Sequence, residues 1–145
     1  MIESQSIIFF IDRCLGKKTI AEKLRSAGIA IEIHDDHFVQ DAKDEEWLPE
    51  VGKRGWVVLT KDGKISRNSL ERIAVAGAHI KMFALASQGL SGDNMATIFL
   101  ESIPLIQEFV RKHPAPFIAK VYRDKRISLW KDSQTLLEEL QQFLD

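Results

Sequence analysis

The sequence predicts an α/β domain with a mostly parallel central sheet flanked by helices, and three observations carry that expectation. Four short apolar runs, at residues 7–11, 29–33, 56–60 and 80–85, are rich in strand formers. Stretches with helical spacing of apolar residues lie between them. The C-terminal third then reads as a hairpin followed by one amphipathic helix.

Taken in order, Ile7-Ile-Phe-Phe-Ile11 is apolar at every position, as a strand covered on both faces must be. Residues 17–27 place Ile20, Ala21, Leu24 and Ala27 on one helical face, and Gly28 supplies the stop. Residues 29–33 form the second strand. Asp44-Glu-Glu-Trp-Leu-Pro-Glu-Val opens a short helix with acids in its first turn, where the macrodipole favours them, and Pro49 limits it. Residues 56–60 give the third strand, 67–77 a helix and 80–85 the fourth strand. Ser91 or Asp93 caps a long helix to about His113, with an irregularity expected at Pro104. Residues 116–122 and 126–130 pair around Arg123-Asp124-Lys125, and Leu136, Leu137, Leu140, Phe143 and Leu144 line a final helix. This βαβαβαβ order demands right-handed crossovers and gathers the strand C-termini along one edge, where such sheets bind ligands.

The 145 residues suit one domain over 1–145, and area scaling gives a chain that buries about two-thirds of its surface. A hydrophobic content of 45% with a net charge of −1 excludes a self-repelling disordered chain. No apolar run approaches bilayer length, and the first residues lack a basic lead-in to an apolar region. A single cysteine, Cys14, suits a reducing compartment. The expectation is a cytoplasmic protein without a membrane partner.

Charge is segregated despite the small net value. Residues 32–50 hold eight acids against one lysine, residues 51–81 sum to +5, residues 111–131 sum to +6, and residues 132–145 hold four acids and no base. A solvated mixed-charge surface explains such blocks, and so does an acidic cation site whose basic flanks face a polyanion.

Three strands end in carboxylates. Asp12 follows the first, Asp35 and Asp36 the second, and Asp62 comes two residues after Thr60 in the third; Asp44, Glu45 and Glu46 begin the helix leading into the third. Each alone reads as a helix cap or a surface group. Together, clustered carboxylates repel unless a cation neutralises them, and a hard divalent ion such as Mg²⁺ or Mn²⁺ prefers oxygen ligands. Such an ion activates water and stabilises charge on a phosphate under in-line attack.

Phe-Phe-Ile-Asp-Arg (9–13), His-Asp-Asp-His-Phe (34–38), Asp-Glu-Glu-Trp (44–47) and Gly-Trp-Val-Val-Leu-Thr-Lys-Asp (55–62) together resemble the PIN-like domains of VapC-type toxins. Weaker similarity runs through Arg67-Asn68, Gly92-Asp-Asn-Met-Ala96 and Pro116-Phe-Ile-Ala119. The resemblance implies a PIN-like fold and a metal-dependent endoribonuclease, a hydrolase that is often the toxin of a toxin–antitoxin pair. It marks Asp12, Asp44 with Glu45 or Glu46, and Asp62 as the catalytic acids, with Asp12, Asp44 and Asp62 on Mg²⁺ or Mn²⁺. Its implied partners are RNA and an antitoxin protein; the Leu/Phe face of the final helix suits closing the domain, packing on an antitoxin, or packing on a second copy as a homodimer. Close relatives often carry an acid and an amide where this chain has Arg13 and Cys14, and a second aspartate where it has Lys64, which implies one ion rather than two, or an inactive site.

Arg13, Lys61, Lys64 and Arg67 lie near the acidic strand ends and are the candidates for holding RNA phosphates; an ion pair within the acidic site is the equal reading of Arg13. Thr60 is placed to orient Asp62. The basic stretch 111–131 is a candidate RNA surface, with Trp130 its candidate base-stacking residue. His34 and His37 fit a turn or supporting role, because two histidines three apart on a loop do not make a zinc site. Two other classes fit the same fold: a degenerate PIN-like module acting by protein contacts, and a phosphoacceptor signalling domain.

Overall fold

The structure is a computed structural model describing residues 7–16, 18–87 and 89–145; within these, the side chains of Asp62 and Lys64 lie outside the described set. A six-stranded sheet has the order β2-β1-β3-β4-β5-β6. Its strands are β1 (Ile8–Ile11), β2 (Ala30–Ile33), β3 (Val57–Lys61), β4 (Lys81–Leu85), β5 (Phe117–Val121) and β6 (Ile127–Lys131). All neighbours pair parallel except β5 and β6, which form the antiparallel hairpin. The α/β, mostly parallel architecture expected from the sequence is the one observed.

The helices are α1 (Thr19–Ser26), α2 (Asp44–Arg54), α3 (Asp62–Ile65), α4 (Ser69–Gly77), α5 (Gly92–Lys112) and α6 (Ser133–Leu144). Successive strand side chains point to opposite faces, so β1 sends Phe9 and Ile11 to one core and Phe10 to the other. The first core receives Ile20 and Leu24 of α1 and Phe99, Ile103 and Ile106 of α5. The second receives Trp47, Leu48 and Val51 of α2, Val75 of α4 and Leu136 of α6. Both layers are therefore covered, which is why these strands carry no polar alternation.

Three elements depart from the sequence reading. Helix α2 continues past Pro49 to Arg54, since Leu48 and Val51 on either side of it are fully buried and hold the next turn in place. Gly55 then ends it in a left-handed conformation, φ 71°. Helix α5 is continuous through Pro104, anchored by Ile103 and Ile106 in the core, with Ser91 as its cap. The predicted start of α1 at Lys17 lies outside the described residues. The short helix α3, beginning at Asp62, has no periodic signal of its own and was not anticipated.

Strand order reverses between β1 and β3, the outward neighbours being β2 on one side and β4 on the other. The C-terminal ends of all five parallel strands share one edge. In open α/β sheets this is the edge at which ligands bind.

Candidate active site

Asp12 follows β1 and is 2% exposed. Its backbone N–H donates to Leu59 O at 3.0 Å, carrying the β1–β3 pairing one residue beyond the strand. The register Ile11 to Leu59 then sets Thr60 beside Asp12, and the Thr60 hydroxyl donates to Asp12 Oδ2 at 2.8 Å. The expected role of Thr60 towards Asp62 is thus corrected: parallel pairing aligns it with the first-strand aspartate. Cys14 Sγ lies 3.3 Å from Thr60 Oγ1. The single hydroxyl proton goes to Asp12, so the thiol is the donor in that contact.

Two helices add carboxylates. Asp44 is the first residue of α2 and is half-buried. Glu71 lies in the first turn of α4, is 1% exposed, and donates its backbone N–H to the Asn68 cap at 3.0 Å. Asp12, Asp44 and Glu71 each bring an oxygen to within 4.8 Å of the other two. The two helix N-termini favour negative charge at Asp44 and Glu71, yet three acids at this separation, two of them buried, repel one another. A set of hard oxygen donors of this size fits a small divalent cation.

Glu71 was missed by the sequence reading. Its one signal is the Asn68-x-x-Glu71 spacing of a capped helix start, which is common and carries no chemistry by itself. Tertiary folding gives it meaning. Arg72 Nη1 donates to Ile65 O (3.1 Å) and Ser66 O (3.0 Å), tying the α3–α4 connection that brings the first turn of α4 back towards Asp12.

Other expected residues separate into distinct environments. Glu46 accepts the Lys43 backbone N–H at 2.9 Å and so caps α2, whereas exposed Glu45 lines the same cavity as Asp12 and Asp44, of about 510 Å³. Asp62 begins α3, but its side chain and that of Lys64 lie outside the described residues. Arg13 lines the acidic cavity while its Nε donates to Asp35 Oδ1 at 3.2 Å. Lys61 and Arg67 line a neighbouring cavity of about 580 Å³, which also contains Cys14 and Leu85.

Neither histidine joins the carboxylate group. His34 is buried among Phe10, Phe38 and Trp47 with Nδ1 3.4 Å from Asp35 Oδ1, and His37 Nε2 meets Glu32 Oε1 at 2.7 Å. Trp130 packs against the second core, with Lys120, Lys131 and Arg72 cations 4.7, 5.2 and 5.7 Å from its ring centre.

A family model described as a PIN like domain matches residues 7–87. The chain belongs to the PIN-like domain family. That match covers β1 through β4 and all three clustered acids, so the carboxylate edge belongs to the PIN-like part of the molecule. The chain is also similar to "Putative ribonuclease VapC45" of Mycobacterium tuberculosis, with 28% identity over 120 residues, 80% of this chain and 86% of the relative. This supports the VapC-type resemblance read from the four sequence blocks. No solved structure matches the chain. Among the described residues of this PIN-like domain, no helix is long and apolar enough to cross a membrane.

Proposed function

We propose that this PIN-like domain is a divalent-metal-dependent endoribonuclease acting as the toxin of a toxin–antitoxin pair. The convergence of Asp12, Asp44 and Glu71 within 4.8 Å, from three separate elements, is the observation that carries the reading. The name of the mycobacterial relative supports RNA as substrate, and the VapC-type resemblance adds an antitoxin protein as regulator.

Asp12, Asp44 and Glu71 would hold Mg²⁺ or Mn²⁺, with Asp62 at the β3 end kept as a further ligand. When bound, the ion would activate water and stabilise the charge that builds on the phosphate. Asp12 is the anchor of the set, because Thr60 fixes one of its oxygens and the sheet fixes its backbone. Glu45, on the rim and free of capping duty, is the candidate to accept a proton from the attacking water. Lys61 and Arg67, with Lys64, would hold the RNA backbone beside the carboxylates. Arg13 is held by Asp35, where it limits the negative potential that incoming phosphates meet.

Incubation of the purified chain with labelled single-stranded RNA and Mn²⁺ tests this directly. Asp12→Asn and Glu71→Gln are each expected to lower cleavage by more than about 100-fold, exceeding the loss typical of supporting residues around a metal. Cleavage that is unaffected by either substitution, or by a chelator, overturns the assignment.

A further inference from the structure

The edge that carries the carboxylates continues beyond them as a row of cavities. The acidic cavity lies at the ends of β1 and β2, lined by Asp12 and His34. The next, with Lys61, Arg67 and Leu85, spans the ends of β1, β3 and β4. A third, of about 390 Å³, lies past β4 and β5 and is lined by Ala86, Ser87, Tyr122, Arg123, Asp124 and Arg126. Adjacent cavities share walls: Cys14 belongs to the first two, and Ala86 and Ser87 to the last two. Their order follows the strand order of the sheet.

We propose that these cavities form one track for single-stranded RNA, running from the carboxylates to a distal anchor made by Arg123 and Arg126 at the β5–β6 turn. The inference rests on the ribonuclease reading and specifies where its substrate extends. Three interstrand spacings separate β1 from β5, about 14 Å, enough for several successive phosphates.

The charge distribution favours this path over the rest of the basic stretch. Arg111 and Lys112 pair with Glu108, Lys125 with Glu101 and Lys131 with Glu139. Lys61, Arg67, Arg123 and Arg126 make no ion pair among the described residues. Within the stretch 111–131, the arginines free of an ion pair among the described residues, Arg123 and Arg126, are the ones that line the third cavity.

The anchor is also preformed. Tyr122 N–H donates to Arg126 O (2.9 Å), Lys125 N–H to Tyr122 O (2.8 Å), and Lys125 takes the left-handed conformation at φ 69° that such a short hairpin loop requires. Asp124 lines the third cavity as well, but its Oδ1 accepts the Arg126 backbone N–H at 3.1 Å, so it braces the turn and leaves the guanidinium outside its ion-pair range. That guanidinium lies 4.4 Å from the centre of the Tyr122 ring. A half-exposed aromatic with a cation above it and a second arginine beside it suits a nucleotide of a flexible strand.

The test measures binding apart from cleavage. Fluorescence anisotropy in EDTA would use the full chain with fluorescein-labelled, mixed-sequence single-stranded RNA of twelve or three nucleotides. Combined Arg123→Ala and Arg126→Ala is expected to weaken twelve-nucleotide binding about tenfold. The slope of log affinity against log salt should become shallower by about 1.4, or 0.7 for each lost phosphate contact. Trinucleotide binding should hold, as should twelve-nucleotide binding by the Arg123→Lys, Arg126→Lys variant. Unchanged affinity and slope in the alanine variant overturns the track, and so does an equal loss on the trinucleotide. Asp12→Asn reports separately: if it abolishes cleavage while the arginine variant binds normally, the nuclease reading stands and the track falls.

Discussion

The two halves of the sheet's C-terminal edge have opposite chemistry and opposite construction. At β2, β1 and β3, Asp12 is buried and its carboxylate is oriented by a neighbouring strand, while Glu71 is buried on a capped helix turn. At β4, β5 and the hairpin turn, Arg123 and Arg126 are exposed on long side chains above a braced backbone. Holding a small ion demands fixed oxygens at close range, and short side chains on rigid elements deliver them. Holding a polyanion demands reach and field, which solvated arginines supply without a large desolvation cost. One fold edge thus serves both needs by changing side-chain length and burial.

The comparison breaks most visibly at the acidic end. Replacing Glu71 by Gln should remove both cleavage and any rise in melting temperature on adding Mn²⁺. In the wild type that rise corresponds to about 2.7 kcal/mol at a hundredfold excess over the dissociation constant. A wild-type melting temperature indifferent to Mn²⁺ would place the acids among structural groups.

A smaller loss separates Asp12 from its support. Thr60→Val removes the 2.8 Å hydrogen bond to Asp12 while keeping the shape of a fully buried side chain. Activity should fall about 10- to 100-fold, and stability by about 1.5–3 kcal/mol, the range for a hydrogen bond to a charged group. Denaturant unfolding and cleavage kinetics check both numbers, and an unchanged rate would show that Asp12 needs no orientation.

Smaller still is the contrast between adjacent glutamates. Glu46→Ala should cost about 1 kcal/mol by uncapping α2 with little direct effect on chemistry, whereas Glu45→Ala should lower the rate with stability retained. The reverse pattern would exchange their roles.

The smallest effect lies far from the site. The Thr135 backbone N–H, donating to the Asp132 carboxylate at 2.8 Å, holds that carboxyl below its ordinary range. Its cap on α6 is therefore fully present above the unfolded carboxyl pKa and is lost as pH falls through the depressed folded value. The protection of the Thr135 amide, its exchange rate relative to the intrinsic rate at the same pH, should fall on acidification in the wild type. In Asp132→Asn that acid sensitivity should disappear, and its persistence would assign the effect to another group.

Much of this was legible from residues alone. Strands β1, β3 and β4 announced themselves because burial on both faces leaves an unbroken apolar run, and the hairpin and α6 followed from turn chemistry and spacing. Asp12 and Asp44 were legible as acids at a strand end and a helix start. Glu71 was not, because nothing local distinguishes a ligand from an ordinary first-turn acid. The basic stretch 111–131 was legible only as a block, since the acids that neutralise Arg111, Lys125 and Lys131 come from α5 and α6.

The sequence by itself determined the layers, the common edge and the types of charge available to it, since periodicity and composition are local and survive without contacts. Tertiary structure alone decided which acids meet, which hydroxyl holds Asp12 and which arginines stay unpaired. Those outcomes depend on distances between residues far apart in the chain, 48 positions for Asp12 and Thr60, and such distances exist only once strand register and helix docking have closed the fold.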